Sequence, residues 1–323
     1  MTLARRDGSR ADRHPEAGFS LVEVMAALVI LAIAMTAVFA TFISQQKSFT
    51  VQNRVAEMQQ NLRQAVEYMS RDIRMAGYGI PDNVAIPAGI VASGVTPIRS
   101  LYAKDNTTGP DQIYILYFFD MDDNQRSTWN TGTMASGAGT VTVDNTDGFL
   151  SSGELVIVTD WVRAQLFQTI LKTATALNFG GTIYQGTASN AYGPGSAARP
   201  NIAKARFVRY YIDSTTDPAH PTLMVDRMGG LTHQPLADDI EDMQLTYGLD
   251  TNADGVVDSW SASPATPSQI RQVQLQIIAR TRLPEAGWSE KRPALGNRAA
   301  GTTADGYRRR TYDIVIDVRN SGV

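Results

Sequence analysis

The feature that most constrains this chain is an uncharged run from Val24 to Ile43, close to its N-terminus. A helix needs about 20 predominantly apolar residues to cross the roughly 30 Å hydrocarbon core of a bilayer, and this run meets that requirement. The residues before it are polar and rich in arginine. Because basic residues upstream of an apolar span favour a cytoplasmic N-terminus, the sequence predicts a single-pass membrane helix with that orientation.

Two residues at the start of the run need a further explanation. Gly18 precedes the apolar run, whereas a secretory signal places its small cleavage residue after a shorter apolar region. A cut after Gly18 would leave the apolar helix on the mature chain, with a new α-amino group on Phe19. Glu23 is a carboxylate near the start of a membrane helix, where ionisable residues usually have a partner, and that amine is the obvious counter-charge. The alternative is a carboxylate at the headgroup level with no role.

The composition narrows the remaining function classes. The 323 residues carry 29 basic and 32 acidic side chains, a net charge of −3, so no nucleic-acid partner is predicted. There is no cysteine, so an exported domain must rely on its core and other contacts for stability. The sequence contains no Gly-x-Ser-x-Gly turn, no phosphate-binding glycine loop and no histidine spacing typical of metal ligands. We therefore predict that the chain is not an enzyme and uses no organic cofactor.

Residues 18–23, Gly-Phe-Ser-Leu-Val-Glu, resemble the prepilin signature of type IV pilins and type II secretion pseudopilins. The resemblance implies that a prepilin peptidase cuts between Gly18 and Phe19 and N-methylates Phe19. It also implies that Glu23 pairs with the N-terminus of a neighbouring subunit during filament assembly. In this interpretation the apolar run serves first as a membrane anchor and later as part of the filament core.

The rest of the N-terminal region predicts one long helix, from residue 19 to about residue 76. No proline occurs between Pro15 and Pro81, and Gly77 is a suitable helix terminator. In the second half of the helix, apolar residues recur at three- and four-residue steps and predict a stripe on which a globular domain docks. The stripe consists of Val51, Val55, Met58, Leu62, Val66, Met69 and Ile73.

After Pro81 the pattern changes to that of β-strands, several of which alternate apolar and polar residues. Such alternation predicts an antiparallel sheet with one covered face. Strands are predicted at residues 113–119, 140–143, 154–161, 164–172, 206–213, 222–226, 240–249, 269–282 and 309–319. Segments rich in Gly, Ser, Asn and Pro predict exposed connections or mobile inserts at residues 130–139, 180–200 and 284–306.

The predicted fold class is α+β. A long N-terminal α-helix, half membrane-spanning and half amphipathic, packs on an antiparallel β-sheet globular domain, which the resemblance identifies with the pilin fold. Four regions are expected along the chain. They are a cleaved leader (1–18), the transmembrane or filament-core half of the helix (19–43), its amphipathic half (44–80) and a β-rich globular domain with long loops (81–323).

An Asp-rich segment at residues 250–258 is the strongest candidate for a metal site. Oxygen side chains occupy its first, third, fifth and ninth positions and Gly255 the sixth, as in the first part of an EF-hand-type Ca²⁺ loop. The twelfth position is Ser261 instead of a bidentate glutamate, so a further ligand such as the Val256 carbonyl or water would be needed. We predict Ca²⁺ binding, with a simple Asp/Asn/Gly turn as the alternative. The candidate ligands are Asp250, Asn252, Asp254 and Asp258.

Downstream stretches at residues 69–79, 155–160, 245–250 and 307–312 are similar to PilW-type minor pilins. The resemblance implies a minor subunit of a type IV pilus that helps to initiate or cap assembly. Its partners would be other major and minor pilins, the prepilin peptidase and the inner-membrane assembly platform. It would lie in the inner membrane with a periplasmic globular domain, then in the extracellular pilus. The alternatives are a minor (J-type) pseudopilin of type II secretion and a pilus-tip adhesin.

Overall fold

The computed structural model describes residues 19–80, 84–85, 100–118, 130–143, 146, 148–149, 152–159, 164–180, 201–227 and 232–320. The chain divides into two compact units, Met1–Asn53 and Arg54–Val323. The division after Asn53 does not test the region boundaries predicted at residues 18, 43 and 80, and these boundaries stay predictions. Most of the predicted loop 180–200 lies outside the described residues.

Helix α1 spans Leu21–Met75 and confirms the predicted long helix to within two residues at its start and one at its end. Its N-terminal part is long and apolar enough to cross a membrane, and none of that window is buried within the protein. Large apolar side chains such as Phe39 and Phe42 are more than half exposed there. An apolar helix with no polar face needs a non-aqueous environment, either lipid or other chains.

The second half of α1 buries one face. The predicted stripe is confirmed from Met58 onward, and Val55 packs against the same core. The buried helix residues are Met58, Leu62, Ala65, Val66, Met69, Ser70 and Ile73. The helix ends at Met75, two residues before the predicted terminator Gly77, which has φ +78° and donates its N–H to the Leu116 carbonyl at 3.0 Å. A Cβ at this position would approach the Asn320 carbonyl to 3.0 Å, so glycine is required by space as well as by conformation.

The described residues form strands β1 to β17 in chain order. β1 to β6 are Val84–Ala85, Leu101–Lys104, Gln112–Phe118, Asn130–Thr133, Thr140–Val143 and Leu155–Thr159. β7 to β12 are Ala164–Lys172, Ala176–Phe179, Asn201–Asp213, Thr222–Arg227, Thr232–Ala237 and Ile240–Leu249. β13 to β17 are Ser259–Ser261, Ile270–Arg280, Glu290–Lys291, Ala304–Asp305 and Arg309–Asp317. A short 3₁₀ helix at Pro267–Gln269 precedes β14.

A four-stranded antiparallel sheet in the order β13-β12-β14-β17 provides the surface on which α1 packs. Its registers place Leu245 beside Leu275, and Leu275 beside Ile314. These side chains belong to the same hydrophobic cluster as the helix stripe. The predicted alternation of β14 and the covering role of the helix are therefore confirmed.

A second sheet of 11 described strands has the order β1-β7-β8-β5-β4-β9-β10-β11. β2 joins it through β3, β3 pairs with β9, and β6 pairs with β7 and β9. Its pairings are antiparallel except for β1 with β7, which is parallel. Two further hydrophobic clusters lie on this sheet, around Phe207 and around Phe167, and neither includes a residue of α1. The domain therefore has more core than the helix alone could cover.

Two predicted loops have a different structure. The segment 130–139, predicted as an exposed connection, contains strand β4, which pairs with β5 and β9. The segment 284–306 is not a free insert, because Arg292 and Arg298 each bind the buried carboxylate of Asp242 at 2.9 Å. It also contains the β15–β16 pair. Both predictions relied on Gly, Ser and Pro content, which does not report pairing with distant strands.

Asp111 is a buried carboxyl group between the loop that precedes β3 and strand β12. It is 2% exposed, and its two oxygens accept the N–H groups of Asn106 at 2.7 Å and Leu245 at 2.9 Å. Burial raises the pKa of Asp111 to about 7, and the nearby carboxylates of Asp105 and Asp242 add to that rise, while the two backbone donors oppose it.

The raised pKa of Asp111 makes the protein less stable as the pH rises. The folded state holds this proton more tightly than the unfolded chain, where the pKa of an aspartate is about 3.9. The contribution is therefore complete below about pH 4 and is lost as the pH rises through about 7, with a limit of roughly 4 kcal/mol in the free energy of unfolding. We expect Asp111→Asn to flatten the decline in stability between about pH 5 and about pH 8.

The measurement is thermal unfolding of the full chain in detergent across that pH range. Asp217→Asn, at an exposed loop aspartate, is the matched control and should keep the wild-type slope. An Asp111→Asn variant whose stability declines as steeply as that of the wild type would contradict the assignment.

Candidate functional site

Helix α1 begins with a reciprocal cap between Ser20 and Glu23. The Ser20 N–H donates to Glu23 Oε2 at 3.0 Å, and the Glu23 N–H donates to Ser20 Oγ at 3.3 Å. The Ser20 hydroxyl also donates to Oε2, at 3.2 Å. This is a capping box, which satisfies two backbone donors close to the helix N-terminus. The Ser-x-x-Glu spacing is the sequence signal for this role of Ser20, which the prepilin signature alone does not reveal.

The predicted junction residues surround this cap. Phe19 exposes 86% of its surface, and Glu23 is exposed one turn further along. Among the described residues, no hydrogen bond reaches Glu23 Oε1, since both cap donors use Oε2. Gly18 lies outside the described part of the chain. Glu23 therefore has one oxygen engaged in the cap and one available to a cation, and its assembly role stays a prediction.

Residues 250–258 form a loop between β12 and β13 that closes around Asp250. The Asp250 side chain is fully buried and accepts the N–H groups of Asp254 at 3.2 Å and Gly255 at 3.0 Å. Arg271 Nε donates to the same carboxylate at 3.1 Å. Burial raises the pKa of Asp250, but the backbone donors and the Arg271 charge lower it more, so the pKa lies below its usual value.

The other predicted ligands meet at Asn252. Its amide nitrogen donates to Asp254 Oδ2 at 3.1 Å and to Asp258 Oδ1 at 3.4 Å. The loop thus brings the four predicted residues together, but an arginine pairs with Asp250 and an amide bridges the other two carboxylates. Among the described residues, no group of three His, Cys, Asp or Glu side chains is placed to hold a metal ion. Calcium binding stays a prediction.

The basic run at residues 308–310 is largely engaged within the protein. The Arg309 side chain is 2% exposed, and its Nε donates to Glu241 Oε2 at 2.6 Å. Arg308 pairs with Glu285 at 2.5 Å. Arg310 is exposed. Two of its three charges therefore have carboxylate partners.

Asp72 fastens the second half of α1 to the 11-stranded sheet. Its carboxylate accepts the hydroxyl groups of Tyr117 at 3.0 Å and Tyr210 at 2.7 Å, from β3 and β9. Burial and the Asp72 charge raise the pKa of Tyr117 to about 12, and the same causes raise the pKa of Tyr210 further. Sequence reasoning missed this contact because the partners lie 45 and 138 residues away and no local pattern links them.

Two family models match parts of this chain, one near its N-terminus and one in its C-terminal third. Residues 209–320 match the family model described as type IV pilus-assembly protein W, and residues 13–39 match the prokaryotic N-terminal methylation motif. The comparison with curated proteins finds no match. A solved structure of a type IV-like pilin from Thermus thermophilus is similar at a TM-score of 0.38 and 10% identity, covering 82% of this chain and 96% of that chain. A likeness of that size supports no further conclusion.

The match to the methylation motif and the exposed apolar helix that follows it are typical of membrane-anchored, type IV pilin-like proteins. The match at residues 209–320 makes that part of the chain similar to type IV pilus-assembly protein W. The N-terminal motif implies processing by a prepilin peptidase and assembly with other pilins.

Proposed function

We propose that the chain is a PilW-type minor pilin that helps to initiate or cap a type IV pilus and waits in the inner membrane, with its globular domain in the periplasm, until it is assembled. The main support for the proposal is the position of Glu23 in the first turn of an apolar helix. The apolar side chains of this helix are exposed up to Phe49. Lipid covers such a surface before assembly, and other subunits cover it in a filament.

The chemistry of assembly rests on one charge pair. Cleavage after Gly18 creates the amino group of Phe19, and Glu23 Oε1 of a neighbouring subunit accepts it. A carboxylate and an ammonium group in a low-dielectric environment attract strongly, and either one left unpaired there is costly. The pair therefore selects the axial register in which each N-terminus meets a carboxylate.

The size of the globular domain supports a place at the end of the filament. The domain carries a four-stranded and an 11-stranded sheet, and two hydrophobic clusters of the larger sheet include no residue of α1. A bulky lateral domain hinders close stacking of identical subunits but is accommodated at a tip. A minor pseudopilin of type II secretion would share the Glu23 site, and the proteins that co-purify from native membranes distinguish the two systems.

The test of the Glu23 pair uses two variants with opposite effects on the cap and the charge. Glu23→Gln keeps a capping-box side chain but removes the charge, while Ser20→Ala removes the cap and keeps the charge. We expect Glu23→Gln to abolish incorporation into pili, measured by immunoblot of sheared filaments, and Ser20→Ala to lower it only modestly. The reverse ranking would show that Glu23 acts as a helix cap alone.

Processing is tested at the junction itself. Gly18→Ala places a Cβ at the scissile position and is expected to leave an uncleaved precursor, measured as a higher mass of the chain purified from membranes. Ala17→Gly, one residue upstream, is the control and should be processed. A mature N-terminus at Phe19 in the Gly18→Ala variant would contradict the assigned cleavage site.

We also propose that the loop at residues 250–258 binds Ca²⁺ through one oxygen each of Asp250, Asn252, Asp254 and Asp258. The convergence of two carboxylate oxygens on the Asn252 amide supports this proposal, because it marks a point of negative potential. The Val256 carbonyl or water would complete the shell.

Calcium should raise the melting temperature of the full chain in detergent, corresponding to about 2.7 kcal/mol at a 100-fold excess over Kd. Asp254→Ala should remove that response, while Asp217→Ala, outside the loop, should keep it. Magnesium serves as the ionic-strength control. A wild-type melting temperature that calcium does not change, or an equal response of Asp254→Ala, would refute the site.

A further inference from the structure

A cavity of about 480 Å³ lies where the second half of α1 meets strands β9, β10 and β11. Gln64, Tyr68 and Arg71 line it from the helix, and Arg206 and Arg227 line it from the sheet. All of these residues belong to the unit Arg54–Val323. The volume lies within the range of ordinary small-ligand sites, roughly 300–1,000 Å³.

The charges around this cavity do not balance. Three arginines face a single carboxylate, that of Asp72, whose oxygens accept the hydroxyl groups of Tyr117 and Tyr210. Arg206 is engaged with the Tyr117 hydroxyl. The positive charge that remains is carried by the other two arginines.

Arg71 lines the cavity from α1 and Arg227 lines it from β10, and both residues are exposed. Within the residues that the structure describes, neither guanidinium group has a hydrogen bond or ion pair. The Arg227 charge lowers the pKa of Tyr210, another residue that lines the cavity. Other arginines of the domain, such as Arg292 and Arg309, are paired with carboxylates.

We propose that this cavity binds a carboxylate between Arg71 and Arg227. A guanidinium group presents a planar fork of donors that matches a carboxylate in a bidentate geometry. Asp72 remains on the cavity wall, so a singly charged carboxylate meets less repulsion there than a doubly charged phosphate monoester. The side chains of Gln64 and Gln234 offer further polar contacts at the rim.

The carboxylate could be supplied by a small free acid or by an acidic side chain of another protein chain. The chemistry of recognition is the same, so two probes are needed. One probe is butyrate, which carries a single carboxylate. The other is a short glycine peptide with two glutamates, and its glutamine analogue is the neutral control.

The experiment is calorimetric titration of the full processed chain in detergent, at constant ionic strength. We expect at least one probe to bind, and Arg71→Gln combined with Arg227→Gln to weaken it about tenfold or more. Arg63→Gln, at an exposed helix arginine outside the cavity, should bind as the wild type does. Arg227→Lys keeps the charge but loses the fork, and should bind with intermediate affinity.

The outcomes distinguish a small free acid from an acidic protein side chain as the source of the carboxylate. Some outcomes would also contradict the proposal. Binding of butyrate as tightly as the glutamate peptide indicates a free acid, and binding of the peptide alone indicates a protein side chain. The proposal fails if neither probe binds, if the double variant binds equally well or if the glutamine peptide binds as tightly. It also fails if inorganic phosphate binds more tightly than both carboxylate probes. Because none of these readouts involves filaments, failure here leaves the proposed role in the pilus untouched.

Discussion

The structure depends on one helix that changes its environment along its length. Up to Phe49 the apolar side chains of α1 are exposed, whereas from Met58 onward one face is buried in a hydrophobic cluster that includes residues of both sheets. Burying a large apolar side chain contributes about 1.5–3 kcal/mol, so the helix stripe is a major share of the domain's stability. The same helix carries Glu23 near its N-terminal end. One continuous helix therefore joins the globular domain to the predicted assembly residue.

The parts of this fold that follow from local pattern could be predicted. The helix and strands such as β5, β7 and β12 were predicted within about two residues because apolar periodicity reports which face of an element is buried. Strand β4 was missed because its sequence, Asn-Thr-Gly-Thr, has the composition of a turn. It forms a strand only through pairing with β5 and β9. The pairing of Asp72 with two distant tyrosines has no sequence signal at all.

The candidate sites also divide into those that a local motif reveals and those that depend on contacts between distant parts of the chain. The order and position of Gly18, Phe19 and Glu23 are local, so a motif reveals them. Whether Asp250 faces a cation depends on Arg271, which lies on the neighbouring strand and is visible only once β12 and β14 are paired. The cavity between α1 and the sheet is even harder to predict from the sequence, since its charges come from three separate elements.

The Ser20–Glu23 cap changes how the role of Glu23 is understood. A capping box contributes on the order of 1 kcal/mol, and it uses only Oε2. In water or at a headgroup surface that is enough to hold the carboxylate at the helix start. In the proposed filament pair, the low dielectric would increase the attraction between Oε1 and an incoming ammonium group well beyond the energy of the cap. Under that proposal the cap does not compete with assembly, because it orients the side chain beforehand and so reduces the conformational entropy lost when the pair forms.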